Sequence, residues 1–489
     1  MKRYRTIGLI FLLLLISTSV TVFSWEPGPA DPAPVSGDRD SDYPVHTRPV
    51  VIPAASEAVF EGFNLFSPMN STDTYLLDND GDVVYTWASS YTPGLSVYLL
   101  ENGLLLRTGQ LDNAYFSDTA GSGGKIQKIA PDGAVAWEYE YSGSLYLQHH
   151  DVECLPNGNV LLIAWEKKTQ SEAIAAGRDP DLIPNGGLWP DHIIEVQPTG
   201  PSGGTIVWEW HVWDHLIQDF DAAKPNYGVV SDHPELIDLN FPTIARKSDW
   251  MHTNSIIYNT ELDQIMISVR KFSEIWIIDH STTSAQAASH SGGNSGRGGD
   301  LLYRWGNPLA YGAGTDTDQK LYRQHDARWI PNGYPGAGNI LIFNNGNNRP
   351  GGEYSSVDEI IPPVNGYTYA LIPDSAYGPD TQTWIYTAGT PTNFFAESIS
   401  GAHRLPNGNT LICNGPVGSF FEVDYTTKAT EWSYSHGTAV FRVTRYAPDY
   451  PGLPGNSPVP AMSCWALGIM IFLISGLLVI RPRFRSVAK

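Results

Sequence analysis

Apolar and polar residues alternate in short bursts along most of this chain, and the bursts stop at Asn-Gly, Asp-Gly or Pro. A period of two puts successive side chains on opposite faces, so each burst predicts a β-strand and each break a turn. One phrase, two such strands around a polar turn and ending at Trp, recurs six times. Its copies run from Tyr75 to Trp87, Ile126 to Trp137, Ile193 to Trp210, Ile275 to Trp305, Tyr369 to Trp384 and Phe420 to Trp432. Between them stands a second phrase, Leu155-Pro-Asn-Gly-Asn-Val-Leu-Leu-Ile163, repeated nearly unchanged as Leu405-Pro-Asn-Gly-Asn-Thr-Leu-Ile-Cys413. Looser copies lie at Leu99 to Leu106, Ile256 to Ser268 and Ile330 to Phe343. Asn-Gly between strands is a strong hairpin signal because both residues accept positive φ.

Two hairpins per repeat make a four-stranded blade, and about 4–8 blades close into a propeller. Six repeats therefore predict an all-β, six-bladed β-propeller over 55–447. An open solenoid or a pair of β-sandwiches is the alternative that the same pattern admits. Spacing widens at Ala173 to Pro190, Asp214 to Lys247 and Ser281 to Gly299, which read as loop insertions of the kind that build binding sites. Asp78-Asn-Asp-Gly-Asp82 has the composition of a calcium loop but lacks the later Glu, and reads as a repeat turn.

The ends follow other patterns. Lys2, Arg3 and Arg5 precede the apolar run Ile7 to Ile16, which predicts a signal peptide over 1–24, followed by a Pro-rich linker over 25–54. A Pro/Gly linker over 448–461 leads into an almost unbroken apolar run at 462–480, long enough for a transmembrane helix, and a basic cytoplasmic tail at 481–489. The expectation is an exported domain held at the cell surface through a C-terminal helix in the membrane. Val459 to Gly468 also resembles prokaryotic C-terminal sorting signals, which are processed.

Composition narrows the function classes. Lys plus Arg number 30 against 51 Asp plus Glu, a net charge of −21, so nucleic acid is not an expected partner. Cys154, Cys413 and Cys464 form neither a disulfide framework nor a metal pattern. No resident cofactor or metal is expected.

The chemistry concentrates in imidazoles at one level. In a propeller the innermost strands line a central channel, so equivalent positions of different blades converge. His150 and His325 each stand six residues before the Pro of their turn, and His252 lies at nearly the same distance from its own turn. His403 stands only three before Pro406, an odd offset that turns it to the opposite face unless a bulge intervenes. Arg349 follows the turn Phe343 to Asn348, where a guanidinium can fork onto an oxyanion. Arg270, Arg323, Arg328 and Arg404 are further candidates. Such a set admits nucleophilic capture of a group from an anionic donor, a transition-metal site, or a non-catalytic site for an anion.

Asp249-Trp-x-His-x-Asn-Ser-Ile256, Gln324-His-Asp-Ala327 and Phe343-Asn-Asn-Gly-Asn-Asn-Arg349 resemble the bacterial and archaeal arylsulfotransferases, as do the Leu405 repeat and Arg445 to Gly452. The likeness covers most of Ala55 to Pro454. The resemblance implies a six-bladed propeller that moves a sulfuryl group from a phenolic sulfate ester to a phenol, without a nucleotide donor and through a sulfated histidine. It implies that His252, His325 and Arg349 bind sulfuryl oxygens and handle the phenolic proton. The family's nucleophilic histidine has no counterpart, because Pro391 to Phe395 contains no His, and the role passes to His403 or His150.

Overall fold

The computed structural model describes residues 59–117, 119–242 and 247–456. The expected signal peptide, the 25–54 linker, the 462–480 span and the basic tail lie outside them. Among the described residues no helix is long and apolar enough to cross a membrane.

Six four-stranded antiparallel sheets form the blades of a β-propeller. Blade 2 comprises Pro93–Leu99, Leu105–Gln110, Gly124–Ile129 and Val135–Glu140, from the channel outward. Blade 3 comprises Tyr146–Cys154, Val160–Glu166, Asp191–Pro198 and Gly204–His211. Blade 4 follows with Thr253–Asn259, Gln264–Val269, Glu274–Asp279 and Tyr303–Trp305. Blade 5 has His325–Trp329, Ile340–Asn344, Ser356–Ile360 and Trp384–Tyr386. Blade 6 has Gly401–Arg404, Thr410–Asn414, Ser419–Val423 and Thr430–Ser435. Blade 1 is composite. Its inner strand, Thr444–Tyr446, comes from the far end of the chain and pairs with Phe63–Phe66, which is followed by Thr74–Leu77 and Val83–Trp87. That pairing closes the ring and leaves no exposed edge between first and last blade.

The repeated phrases have physical counterparts. Middle strands such as Gln264–Val269 and Glu274–Asp279 are buried on both faces, because each blade is sandwiched between two others. The outer strand Thr430–Ser435 is largely exposed. The terminal Trp of the recurring phrase bolts blades together. Trp210 donates Nε1–H to the Gly299 carbonyl, Trp305 to Pro379, Trp384 to Tyr425 and Trp432 to Asn79, each in the following blade.

The Pro-Asn-Gly-Asn turns form a latch. Asn407 and Asn409 donate to Glu422 of the third strand at 3.2 and 2.7 Å, and Asn157 and Asn159 donate to Glu195 in the same way. Each carboxylate then meets a cation of the next blade. Glu422 takes Arg445, Glu359 takes Arg404 at 2.5 Å, and Glu195 takes His280 at 3.0 Å. The guanidinium of Arg404 also lies over Trp384 and Tyr425, and that of Arg445 over Trp432. Losing one partner of such a buried pair typically costs about 3–5 kcal/mol.

One expected hairpin is displaced. The outer pair of blade 5 joins Ser356–Ile360 to Trp384–Tyr386, with Glu359 opposite Trp384, rather than running from Tyr369. Tyr369 sits in a small ribbon, Val364–Asn365 with Thr368–Tyr369, inside an insertion. Ser356–Ile360 carries the buried acids Asp358 and Glu359, which broke the alternation and hid the strand.

Candidate functional site

At one end of the channel lies a cavity of about 550 Å³. His150, His252 and His325 line it together with Asp249, Arg270, Lys271 and the Thr119–Gly121 segment, and Leu95, Met69 and Ile399 supply apolar wall. The three histidines picked out by spacing do converge.

They converge because the inner strands are bulged. Three residues, His149 to Asp151, stand opposite one between the Gln148–Ala164 and Val152–Leu162 pairs. Register also shifts between Thr253 and Ser255 and between His325 and Ala327. His150, His252 and Asp326 adopt φ of 52°, 56° and 51°, a left-handed conformation that non-glycine residues seldom take. Such strain clusters where a side chain must be re-aimed toward a site. Gly121, with φ 94°, lies against the His150 ring, and a Cβ there would come within 2.1 Å of Cε1. Only glycine fits.

Each imidazole is anchored through Nδ1. His252 Nδ1 is 2.5 Å from Asp249 Oδ2, which also accepts from Thr119 Oγ1 at 2.7 Å. Asp249 Oδ1 accepts from Trp165 Nε1 at 3.1 Å. His325 Nδ1 is 2.7 Å from Asn345 Oδ1, while Asn345 Nδ2 donates to the carbonyls of Ala396 and Ile399. The amide is thereby fixed with its oxygen toward the ring, so His325 donates.

His150 is held by a relay. Its Nδ1 lies 2.8 Å from Nδ1 of His149, whose Nε2 lies 3.2 Å from Asp191 Oδ1. Asp191 Oδ2 accepts from the Thr253 amide at 3.0 Å. An ionised carboxylate only accepts, so His149 carries its proton on Nε2 and presents a lone pair at Nδ1. His150 must then donate from Nδ1. Its lone pair is left on Nε2, the nitrogen from which nucleophilic attack would come. This tautomer is inferred from the hydrogen bonds. The His150 and His252 rings meet edge to face at 4.5 Å.

The electrostatics favour neutral imidazoles beside fixed cations. Burial holds His150 well below the usual histidine range, reinforced by His252 and His149. Burial lowers His325 likewise, with Arg270 adding to the effect. Burial also lowers His252, although Asp249 pulls the other way. Asp249 stays well below the ordinary carboxylate range: burial would raise it, but His252 and Lys271 outweigh that. Arg270 is brought down to about 10 by burial and by Arg323, with Asp249 opposing, and remains a cation at neutral pH. Lys271 bonds the Asp249 backbone carbonyl and lies 3.5 Å from its carboxylate. A cavity in an acidic protein thus has a cationic wall, suited to an oxyanion.

Other candidates lie elsewhere. His403 packs between blades at 1% exposure, its Nε2 accepting from the Arg445 amide at 3.4 Å. Its strand pairs with Thr410–Asn414 without a register shift, so the odd offset keeps it off the channel. Arg349 is not part of the cavity lining; its guanidinium stacks on Tyr354 at 4.2 Å and donates to Ser356 Oγ at 3.0 Å. Arg404 serves the blade latch, and Arg328 pairs with Asp326 at 2.9 Å. Of the candidate arginines, Arg270 lines the cavity.

The structure adds residues that the sequence did not single out. Asp249 and Lys271 flank identified residues and were findable as neighbours of them. His149 and Asp191 matter only through the relay. Arg442 carried no signal at all. It enters from just before the closing strand and spans the channel at the next level, 2.8 Å from Asp151 Oδ2, 3.1 Å from Asp326 Oδ1 and 2.7 Å from the Asn254 carbonyl. The carboxylates next to His150 and His325 therefore neutralise a central arginine.

These features define a six-bladed propeller with a histidine-lined, cation-walled cavity on its axis. The family model for arylsulfotransferase (ASST) matches residues 50–450, and the chain belongs to that family. Membership supports a sulfotransferase-type function in general. No curated relative matches the sequence. Among solved structures, a protein of unknown function from Bacteroides caccae aligns at 11% identity over 79% of this chain and 99% of its own, with a TM-score of 0.42. The β-propeller domain of Cps50 (Swd1) from Myceliophteria thermophila aligns at 8% identity over 78% of this chain and 88% of its own, with a TM-score of 0.37. Likenesses at this level carry no argument about function.

Proposed function

We propose that this protein transfers a sulfuryl group from a phenolic sulfate ester to an acceptor phenol, with His150 as the nucleophile. The observation that carries the reading is the relay from Asp191 through His149, which leaves the His150 lone pair on Nε2 in the cavity. In the donor half-reaction, Nε2 attacks sulfur, the sulfur–oxygen bond to the aryl group breaks, and its electron pair leaves on the phenolate oxygen. Asp249 opposes the burial that disfavours protonated His252, and the fraction of His252 so protonated delivers its proton to that oxygen. In the acceptor half-reaction neutral His252 takes the proton of the incoming phenol, whose oxygen attacks sulfur and expels Nε2 of His150. The acceptor's proton restores the acid for the next donor. Arg270, Lys271 and His325 face the sulfuryl oxygens, where fixed positive charge counts most as charge moves between oxygen and nitrogen.

Incubation with a chromogenic aryl sulfate and no acceptor tests this directly. Acid-labile, alkali-stable sulfate on His150 is expected, with release of phenol and turnover once a phenol is added. Absence of phenol release from folded protein would remove the enzymatic reading for that donor and favour a surface propeller that binds an anion without chemistry. We place the domain outside the cell, anchored by 462–480, from the apolar run and the arginines that follow it.

A further inference from the structure

Away from the channel, the insertion after blade 3 and the insertion within blade 4 meet at His215, His290 and Asp300. His215 Nε2 lies 2.7 Å from the Ala287 carbonyl oxygen, which can only accept, so Nε2 carries the proton. In a neutral ring Nδ1 is then a lone pair. It nevertheless faces Asp300 Oδ1 at 2.8 Å, and His290 Nδ1 faces the same oxygen at 2.7 Å. A proton on His215 Nδ1, or a metal ion in its place, reconciles that nitrogen with the carboxylate. The three ligating atoms lie within 4.8 Å of one another.

We propose that His215, His290 and Asp300 bind a divalent transition metal ion of the zinc class, through both Nδ1 atoms and the carboxylate. Two imidazoles and a carboxylate are a borderline-soft donor set of the kind zinc takes, with water completing a tetrahedron. A metal-bound imidazole characteristically donates its other N–H to a carbonyl, as His215 does to Ala287. The support around it is rigid. Trp210 stacks on His215 at 5.7 Å and 9°, and ties Gly299 by donating to its carbonyl at 2.7 Å. A Cβ at Gly299 would come within 1.9 Å of the Ala287 oxygen and 2.6 Å of His215 Nε2, so the cradle excludes any side chain. Bonds of about 2.0–2.1 Å to a tetrahedral ion set ligand atoms about 3.3 Å apart. His290, 62% exposed, is free to make that opening on its side, and the buried His215–Asp300 pair, now 2.8 Å apart, must widen by about 0.5 Å as well. The ion would clip two insertions that otherwise meet only through hydrogen bonds and packing, and so stabilise them by mass action.

The test uses the full chain without a polyhistidine tag, stripped by chelator and titrated with Co2+. One equivalent is expected to bind with the intense visible band of a four-coordinate ion, displaced by Zn2+, and Zn2+ is expected to raise the unfolding temperature. His290→Ala, at an exposed position that leaves the fold intact, should lose both the band and the shift; Asp300→Asn should weaken binding by at least about tenfold. His252→Ala should retain them. Failure of the unmodified chain to bind at millimolar Co2+ overturns the proposal. So does a band that survives His290→Ala and disappears in His252→Ala, which would put the ion in the channel.

Discussion

Two of the inner strands that carry histidine, Tyr146–Cys154 and Gly401–Arg404, give it different fates. In Tyr146–Cys154 three residues stand opposite one, and the bulge swings His150 into the cavity. In Gly401–Arg404 the ladder runs in step from Gly401–Cys413 to Arg404–Thr410, and His403 stays between blades. Both side chains are buried and both lie on channel strands. Backbone register, rather than residue type, decides which reaches the cavity and which packs between blades. The His150 strand tolerates φ of 52° because Gly121 and the His149–Asp191 pair hold it from either side.

The comparison breaks most visibly by substitution of the histidines themselves. His150→Ala should lower sulfuryl transfer by about 10⁴-fold or more and abolish sulfation of the protein, as removal of a nucleophile does. His403→Ala should leave the sulfated intermediate detectable by mass spectrometry and lower the unfolding temperature instead. Sulfate on His403 would reverse the assignment.

Next in size is the latch. Arg404→Met leaves Glu359 buried without its cation and should cost about 3–5 kcal/mol of stability in denaturant titration. The double change Arg404→Met with Glu359→Met should recover much of that, since well-packed apolar pairs often replace buried ion pairs at little cost. Turnover of the folded fraction should be close to that of the parent.

Arg270→Gln should reduce turnover by about 10²–10³-fold, the usual loss for a group that meets charge developing in the transition state. Arg349→Gln should cost less, because that side chain stacks on tyrosines outside the cavity. A larger loss for Arg349 would restore it to the site.

The smallest effect is in the pH profile. Burial lowers His150, His252 and His325, so the proposed nucleophile stays unprotonated below the ordinary histidine value of about 6.5. The acid limb of donor turnover should therefore lie below pH about 6.5, with loss as falling pH protonates His150. Stability should follow the same sign. The unfolded chain takes up protons these groups refuse when folded, so their contribution is full above pH about 6.5 and declines as pH falls below it. An acid limb above that value would contradict a buried nucleophile.

Much of the fold was legible in the chain. Alternation, Asn-Gly turns and a recurring Trp specify strands, hairpins and six repeats, because each depends on contacts between near neighbours in sequence. The same locality made His150, His252 and His325 stand out by their distance from their turns. Ser356–Ile360 was missed because its acids are buried by partners that alternation cannot report, Glu359 by Arg404 of the next blade and Asp358 by Asn344 of the adjacent strand.

Tertiary structure decided the rest. That Thr444–Tyr446 completes the first blade, that Arg442 spans the channel, and that His149 and Asp191 set the tautomer of His150 all depend on residues far apart in the chain. A bulge leaves no pattern of its own in sequence: it adds a residue to a strand whose partner alone defines the register. The sequence by itself determined a closed ring of blades with imidazoles near its axis. Only the packed ring determined which of them reach the cavity, because inter-strand register and ring closure are set by long-range pairing.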